Sequence, residues 1–269
     1  VVGAGIAGLP FALEFNHSKW RVCMIESGGL TADKETQSLN WGKNVGIPYF
    51  ELDKSRARFF GGTSHFWAIP IGGNQLGVRL RGLDPIDFEA REWVPYSGWP
   101  FTISHLEPYY RKAHKIIQIG PYSYRPEDWA ISDQNQQACF SSRRMETTVF
   151  QFANREIFYK DFLTEIKKSE NISVYLHSNC IDIDAADNLQ KINKLEIACL
   201  NGPKFHVKAD RYILAAGGIE VPRLLLSSNK VQHQGLGNEN DLVGRFFMEH
   251  PHLSAGLIKN KNKALSRST

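Results

Sequence analysis

VVGAGIAGLP, residues 1–10, joins a strand end to a helix start through Gly3, Gly5 and Gly8, in the spacing G-x-G-x-x-G. In such a turn the first glycine permits the tight reversal. The second lets the backbone approach a diphosphate, and the third lets the helix pack close on the strand. The free N–H groups at a helix start favour an anion there. "IAGLPFALEF" reads as that helix, with Pro10 near its first turn, where backbone donors lack helical partners. "WRVCMIE", Trp20 to Glu26, reads as the next strand. Glu26 stands about 20 residues after the glycines, where an acid can hold ribose hydroxyls. No basic residue follows it directly, which argues against a 2′-phosphate and so against NADP. The strand, helix and acid together make this a dinucleotide site rather than a chance glycine-rich turn.

Only Val1 and Val2 precede Gly3, and there is no initiator Met. A strand normally has about five residues. The sequence is therefore expected to be a piece of a longer one, and the lack of a signal peptide in it carries no information about localisation.

Composition excludes several classes. Hydrophobic residues make up 42% and charged residues 22% of the 269, which is ordinary for a globular protein. The net charge of +4 is spread among nearly as many acids as bases, so no nucleic-acid footprint is expected. No apolar run approaches the roughly 18 residues of a membrane span. Cys23, Cys139, Cys180 and Cys199 include no C-x-x-C pair, so neither zinc nor a redox pair is expected. Cys23, Cys180 and Cys199 lie in apolar strand-like runs and read as small hydrophobes. His250 and His252 form H-x-H without a third ligand at matching spacing, so no metal site is expected.

Further along, residues 30–80 have no sustained periodicity, and a run that long is usually functional. "LDPIDFEAREW" carries helix-start signals, with Asp84 as N-cap and Pro85 at the first position. "SHLEPYYRKAHKIIQI" predicts a helix with a Ser104–Glu107 capping box. Its apolar face is Leu106, Tyr109, Tyr110, Ala113, Ile116 and Ile117, with His105 and His114 on the surface. Trp93, Tyr96, Trp99 and Phe101 could form a sugar-stacking platform, but core packing is the stronger expectation. Phe158, Phe162 and Ile166 mark another helix. The period then changes to two, and "ISVYLH", "CIDIDA", "KINKLEIACL", "KFHVKA" and "RYILAA" predict successive strands.

That block of strands matters for the cofactor. A nicotinamide-binding fold normally alternates strand and helix. A β-meander followed by a return strand ending in small residues, here "RYILAAGG" with Ala216 and Gly217, fits FAD better.

These stretches resemble the glucose–methanol–choline family of FAD-dependent oxidoreductases. "GAGIAG" with Glu26 is similar to its adenosine-diphosphate site, "RFFGGTSHFWA" to its flavin loop, and "AAGGIEVPRLLLSS" to its second signature. "LDPIDFEAREWVPYSGWPF" and "LEPYYRKA" resemble the subgroup of pyranose oxidase and bacterial sugar dehydrogenases, and "LVGRFFMEHPHL" the segment leading into the substrate domain. The resemblance implies that Gly3, Gly5, Gly8 and Glu26 bind the ADP half. It places Arg58, Gly61, Gly62, Thr63 and Ser64 along the diphosphate and flavin, and Trp67 and Ala68 near the reactive ring edge. Cys180 and Ile181 would contact adenine through their backbone, and Ala216 and Gly217 would complete the pocket. Several relatives have His-Trp in the flavin loop, and in pyranose oxidase that His carries the flavin covalently. Here the order is His65-Phe66-Trp67, which puts Phe66 where that histidine would stand. Non-covalent FAD is expected, with His65 as a loop histidine bonded to backbone.

The implied fold is α/β: a Rossmann-like FAD-binding domain with a parallel sheet and β-meander, and part of a second, α+β substrate domain. The division expected is 1–80 FAD-binding, 81–155 helical and irregular, 156–245 FAD-binding continued, and 246–269 the start of the substrate domain. The implied activity is oxidation of the CH–OH group of a sugar or other alcohol, by hydride transfer to flavin N5, with an electron acceptor that no motif encodes. The family's catalytic histidine lies in a C-terminal segment absent here, so no catalytic residue is nominated and the chain itself is expected to be inactive. The alternatives are a nicotinamide-dependent Rossmann dehydrogenase and a truncated, non-catalytic nucleotide-binding protein.

Overall fold

The structure is a computed structural model, and it describes residues 1–129 and 148–249. In chain order the helices are α1 (Gly8–Leu13), α2 (Lys34–Ser38), α3 (Leu52–Ser55), α4 (Ile103–Ile116), α5 (Asp161–Lys168) and α6 (Glu220–Ser227). The strands are β1 (Val22–Ile25), β2 (Ala68–Gly72), β3 (Gln75–Leu80), β4 (Gln151–Asn154), β5 (Ile172–Tyr175), β6 (Asn179–Ala185), β7 (Ile192–Ala198) and β8 (Lys204–Val207). The fold is mixed α/β, with parallel and antiparallel sheets. It divides into two compact units, one made of Val1–Ala68 with Arg155–Met248, the other drawn mainly from Ile69–Asn154.

The first unit is built on parallel pairing. β1 runs parallel to β5, from Val22 opposite Ile172 to Ile25 opposite Tyr175. On the other edge of β1, Gly3 N–H donates to the Ile25 carbonyl and Ile25 N–H to the Val1 carbonyl, both at 2.8 Å. Beyond Val2 comes the "ILA" segment: Val2 N–H donates to the Ile213 carbonyl and Ala215 N–H to the Val2 carbonyl, again at 2.8 Å. The resulting order is 213–215, 1–3, β1, β5. Met24 and Ile25 are buried, as strands covered on both faces require.

β6, β7 and β8 form the antiparallel meander. Its register jumps between Cys180 and Asp182, a bulge centred on Ile181. The ladder is tied off nearby, where Ile183 N–H donates to Ser228 Oγ at 2.9 Å, just past the end of α6. Val2, Ile25, Ile183, Leu195, Ile197 and Leu224 bury together and join the parallel sheet, the meander and α6 in one core. Each such large aliphatic side chain contributes about 1.5–3 kcal/mol on full burial. Phe158, Phe162 and Ile166 are buried, the first in a 3₁₀ turn and the other two on α5.

In the second unit β2, β3 and β4 form an antiparallel sheet. The β2–β3 hairpin lies in the stretch where no periodicity is visible. Its turn is Gly72-Gly73-Asn74, all three with positive φ, and Ile69 and Ile71 on β2, either side of Pro70, are exposed. The helix expected from Asp84 is only a 3₁₀ turn, Pro85–Phe88. Asp84 and Asp87 do form its capping box, but Glu89 is already extended, and Pro95 disfavours helix at the residue before it. The N-cap position of α4 is Thr102 rather than Ser104, because Thr102 is the extended residue and Ser104 is already helical, and the Thr102 hydroxyl meets Ser104 Oγ at 2.7 Å instead of a helix N–H.

Three burial expectations are overturned here. His114 is buried, not on the surface: Nδ1 lies 2.8 Å from the Gly120 carbonyl and Nε2 3.0 Å from the Tyr124 hydroxyl. Conversely Trp93, Tyr96 and Trp99 are exposed at 80%, 77% and 52%, so they are not core. Tyr109, assigned to the apolar face of α4, is exposed as well.

Candidate functional site

Two glycine loops meet at the C-terminal end of the parallel sheet. Gly3 has φ +100°, and a Cβ there would sit 2.6 Å from the Ala215 carbonyl oxygen. A Cβ on Gly8 would collide with the carbonyl oxygen of Gly3. The fold itself therefore demands these two glycines. Gly5 is different: its φ is ordinary, and its Cβ would come no closer than 3.9 Å to another heavy atom, Cα of Gly62. Gly61 N–H donates to the Ala4 carbonyl at 2.8 Å, and Gly61 and Gly62 both have positive φ. The loop expected along the flavin thus lies against the loop expected under the diphosphate. Its hydroxyls serve the loop: Ser64 Oγ, buried, donates to the Gly61 carbonyl at 2.8 Å, and Thr63 Oγ1 accepts from Ala57 N–H at 3.3 Å. Trp67 follows with its indole 46% exposed, and Ala68 opens β2.

Glu26 lies just past β1 and is buried. One carboxylate oxygen accepts from Ala4 N–H and the other from Gly28 N–H, each at 2.8 Å. Burial pushes the carboxyl above its usual range, against the pull of these N–H groups and of Arg58. Each oxygen can accept a second hydrogen bond, so two of roughly four acceptor sites remain. A cavity of about 460 Å³ is lined by Ser27, the chain neighbour of Glu26, and by Asp33, Thr36, His177 and Asn179 among others.

Arg58 is fixed on several sides. Nε donates to Asn40 Oδ1 at 2.8 Å, Nη1 to Ser27 Oγ at 3.0 Å, and Nη2 pairs with Glu220 at 3.1 Å. Arg56 reaches the same Glu220 oxygen at 2.6 Å, and Arg223 the other oxygen at 2.7 Å. Burial alone would raise the Glu220 carboxyl, but the hydrogen bonds from Arg56 and Arg223 and the Arg58 charge bring it down to about 2. Sequence reasoning missed Glu220, Arg56, Asn40 and Gln37, whose Oε1 accepts from Arg58 N–H at 3.0 Å. Glu220 carried a usable signal, an acid in the first helical turn after a glycine pair.

On the meander, Cys180 packs against the core around Val2. Burial pushes its thiol up to about 11, so it is neutral and unreactive. Ile181, at the bulge, is 44% exposed. Ala216 packs on the same core, and Gly217 has φ +87°. A Cβ on Gly218 would meet nothing within 4 Å, and its φ is ordinary. His65 turns inward: its Nε2 lies 3.0 Å from the Phe60 carbonyl, and its ring sits 4.3 Å from Phe59 and 4.9 Å from Tyr159. It is bonded to backbone, as expected of a loop histidine, and Phe66 is 51% exposed.

Every expected site residue falls in the first unit, from Gly3 to Ala68 and from Cys180 to Gly217. Direct contacts bring the 3–8 loop, Glu26, the 58–62 segment and Ala215–Ala216 together. No group of three His, Cys, Asp or Glu among the described residues could hold a metal, and His250 and His252 lie outside them. No helix among the described residues is long and apolar enough to cross a membrane.

No family model matches the chain. Among curated proteins, the fructose dehydrogenase large subunit of Gluconobacter japonicus is 48% identical over 46 residues, which cover 17% of this chain and 8% of that protein.

Proposed function

We propose that the protein is an FAD-dependent oxidoreductase acting on the CH–OH group of a sugar or other alcohol. The observation that carries the cofactor half of this reading is the contrast among the glycines. Gly3 and Gly8 are accounted for by the chain's own packing, whereas Gly5 and Gly218 are not. Gly5 lies in the same loop as Gly3, and Gly218 follows Ala215 and Ala216, which pack on Gly3. Glycine where neither φ nor packing requires it is what close approach of a ligand would demand. Glu26 retains acceptor capacity for ribose hydroxyls, and the cavity lined by its chain neighbour Ser27 is of nucleoside size.

FAD is preferred to a nicotinamide because the 61–62 loop lies directly on the 3–8 loop and a meander precedes the 213–215 strand. A sugar substrate is supported by the local similarity to the fructose dehydrogenase subunit. Bound FAD would supply the redox chemistry of alcohol oxidation. The chain's residues would bind and orient it: Gly5 and Gly218 would leave room for it, Arg58 would meet its diphosphate, and Glu26 would hold the ribose.

The test is the absorption spectrum of the purified protein. A flavin band near about 450 nm, belonging to the cofactor itself, is expected, with FAD released into the supernatant by acid precipitation. A colourless protein that binds NAD and not FAD would overturn the reading.

A further inference from the structure

Three guanidinium groups converge on a single carboxylate beside the glycine loops. Glu220 takes Arg56 and Arg58 on one oxygen and Arg223 on the other. The side chains of Glu220, Arg56 and Arg58 are exposed by only 13%, 15% and 13%. The cluster therefore holds more positive than negative charge in a poorly solvated place. Such an excess is costly unless an anion meets it.

The geometry distinguishes the arginines. Arg56 is turned toward protein on every side, with Nη2 donating to the Asn40 carbonyl at 2.8 Å and Nε to the Leu52 carbonyl at 3.2 Å. Arg223 is half exposed. Arg58 stands at Ser27, next to Glu26, and its backbone is packed so tightly on Gly28 that a Cβ there would collide with the Arg58 carbonyl. A guanidinium has five N–H donors. Asn40 and Ser27 occupy two of those on Arg58, and Glu220 holds Nη2 as an ion pair at 3.1 Å, which leaves donors for another acceptor.

We infer that Glu220 is a positioning residue: it holds the Arg58 guanidinium in the orientation that presents its remaining donors to the diphosphate of the bound dinucleotide. This rests on the dinucleotide reading above. Asn40 and Ser27 fix two corners of the planar fork, and Glu220 fixes the third. The acid that begins α6 thus acts on the cofactor through an arginine on a distant loop. Geometry and charge make opposite forecasts for its removal. Neutralising Glu220 adds net positive charge to the cluster, so by charge alone an anion would bind more tightly. If Glu220 positions Arg58, the anion binds less tightly.

The experiment titrates the purified, flavin-free protein with ADP and, separately, with adenosine, following each by calorimetry. Glu220→Gln is expected to weaken ADP binding about tenfold, the scale of one charge-assisted hydrogen bond, and to leave adenosine unchanged. Arg58→Lys, which keeps the charge but not the fork, should weaken ADP to a similar extent. Adding Glu220→Gln to it should cost nothing further. ADP binding that is unchanged or tighter in Glu220→Gln overturns the inference, as do losses that simply add in the double variant. If Glu220→Gln does not fold, judged by circular dichroism, Glu220→Asp replaces it in the same cycle with the same expected and overturning results. Failure of the unmodified protein to bind either ADP or FAD is a different outcome, which rejects the dinucleotide reading itself.

Discussion

The backbone N–H of Gly61 donates to the carbonyl of Ala4 at 2.8 Å, and this one bond lays the second glycine loop on the first. Each loop is then braced: Glu26 grips Ala4 from β1's end, and Ser64, within the second loop, grips Gly61. A surface made of glycine backbone is rigid here because its neighbours bond to it.

Substitution separates the glycines that build this surface from those that leave it open. Gly5→Ala is expected to change stability by under about 1 kcal/mol, since its methyl would make only an ordinary contact. It should weaken FAD binding at least about tenfold, if the cofactor passes there. Gly8→Ala should destabilise the fold by about 2–4 kcal/mol through the collision with Gly3. Urea melts and flavin titration of both variants measure the contrast.

Glu26 makes stability depend on pH in the direction of a raised carboxyl. Its folded value lies above the usual 4.5, so its contribution is fully present below 4.5 and is lost as pH rises through the folded value. The melting temperature of the protein minus that of Glu26→Gln should be largest in acid and fall toward neutrality. A difference that grows toward neutral pH would contradict the burial of this carboxyl.

Glu220 behaves in the opposite sense. With its carboxyl lowered from 4.5 to about 2, its contribution is present above 4.5 and lost as pH falls through 2. The stability gap between the protein and Glu220→Gln, about 3 kcal/mol at most near neutrality, should close over that window. Denaturant melts between pH 5 and about pH 2 would follow it.

His114 is a structural test independent of any cofactor. Its two ring nitrogens join α4 to the Gly120 carbonyl and the Tyr124 hydroxyl. His114→Phe leaves both groups without that partner and should destabilise the fold by about 2–4 kcal/mol, while Tyr124→Phe should cost about 1 kcal/mol. Thermal unfolding of the two variants gives the ratio.

Where the chemistry of one segment settled the outcome, the sequence could be read. Gly3 and Gly8 follow a spacing that only a strand–turn–helix satisfies, and β5 to β8 alternate over buried cores. The hairpin of β2 and β3 escaped because its alternation is short and interrupted by Pro70 and Gly77, residues that argue against a strand. His114 looked like a surface residue because its polarity is satisfied by groups six and ten residues away, which helical spacing does not reveal. The Arg58–Glu220 pair joins positions 162 residues apart, and pairing at that distance leaves no local trace. Whether Glu26 and Gly5 meet a cofactor is a question about a molecule outside the chain, and the glycine contrast is its nearest imprint.

The placement of residues 1–3 between β1 and residues 213–215 has a consequence for how the protein is made. Val2 leaves the ribosome long before Leu214, yet Leu214 is one of its two sheet neighbours. Until that late segment arrives, one edge of the first strand stays bare, and its unpaired backbone is a template for the wrong partner. Contacts so far apart in the chain close slowly. The nascent protein should depend on chaperones until residues 213–215 have emerged.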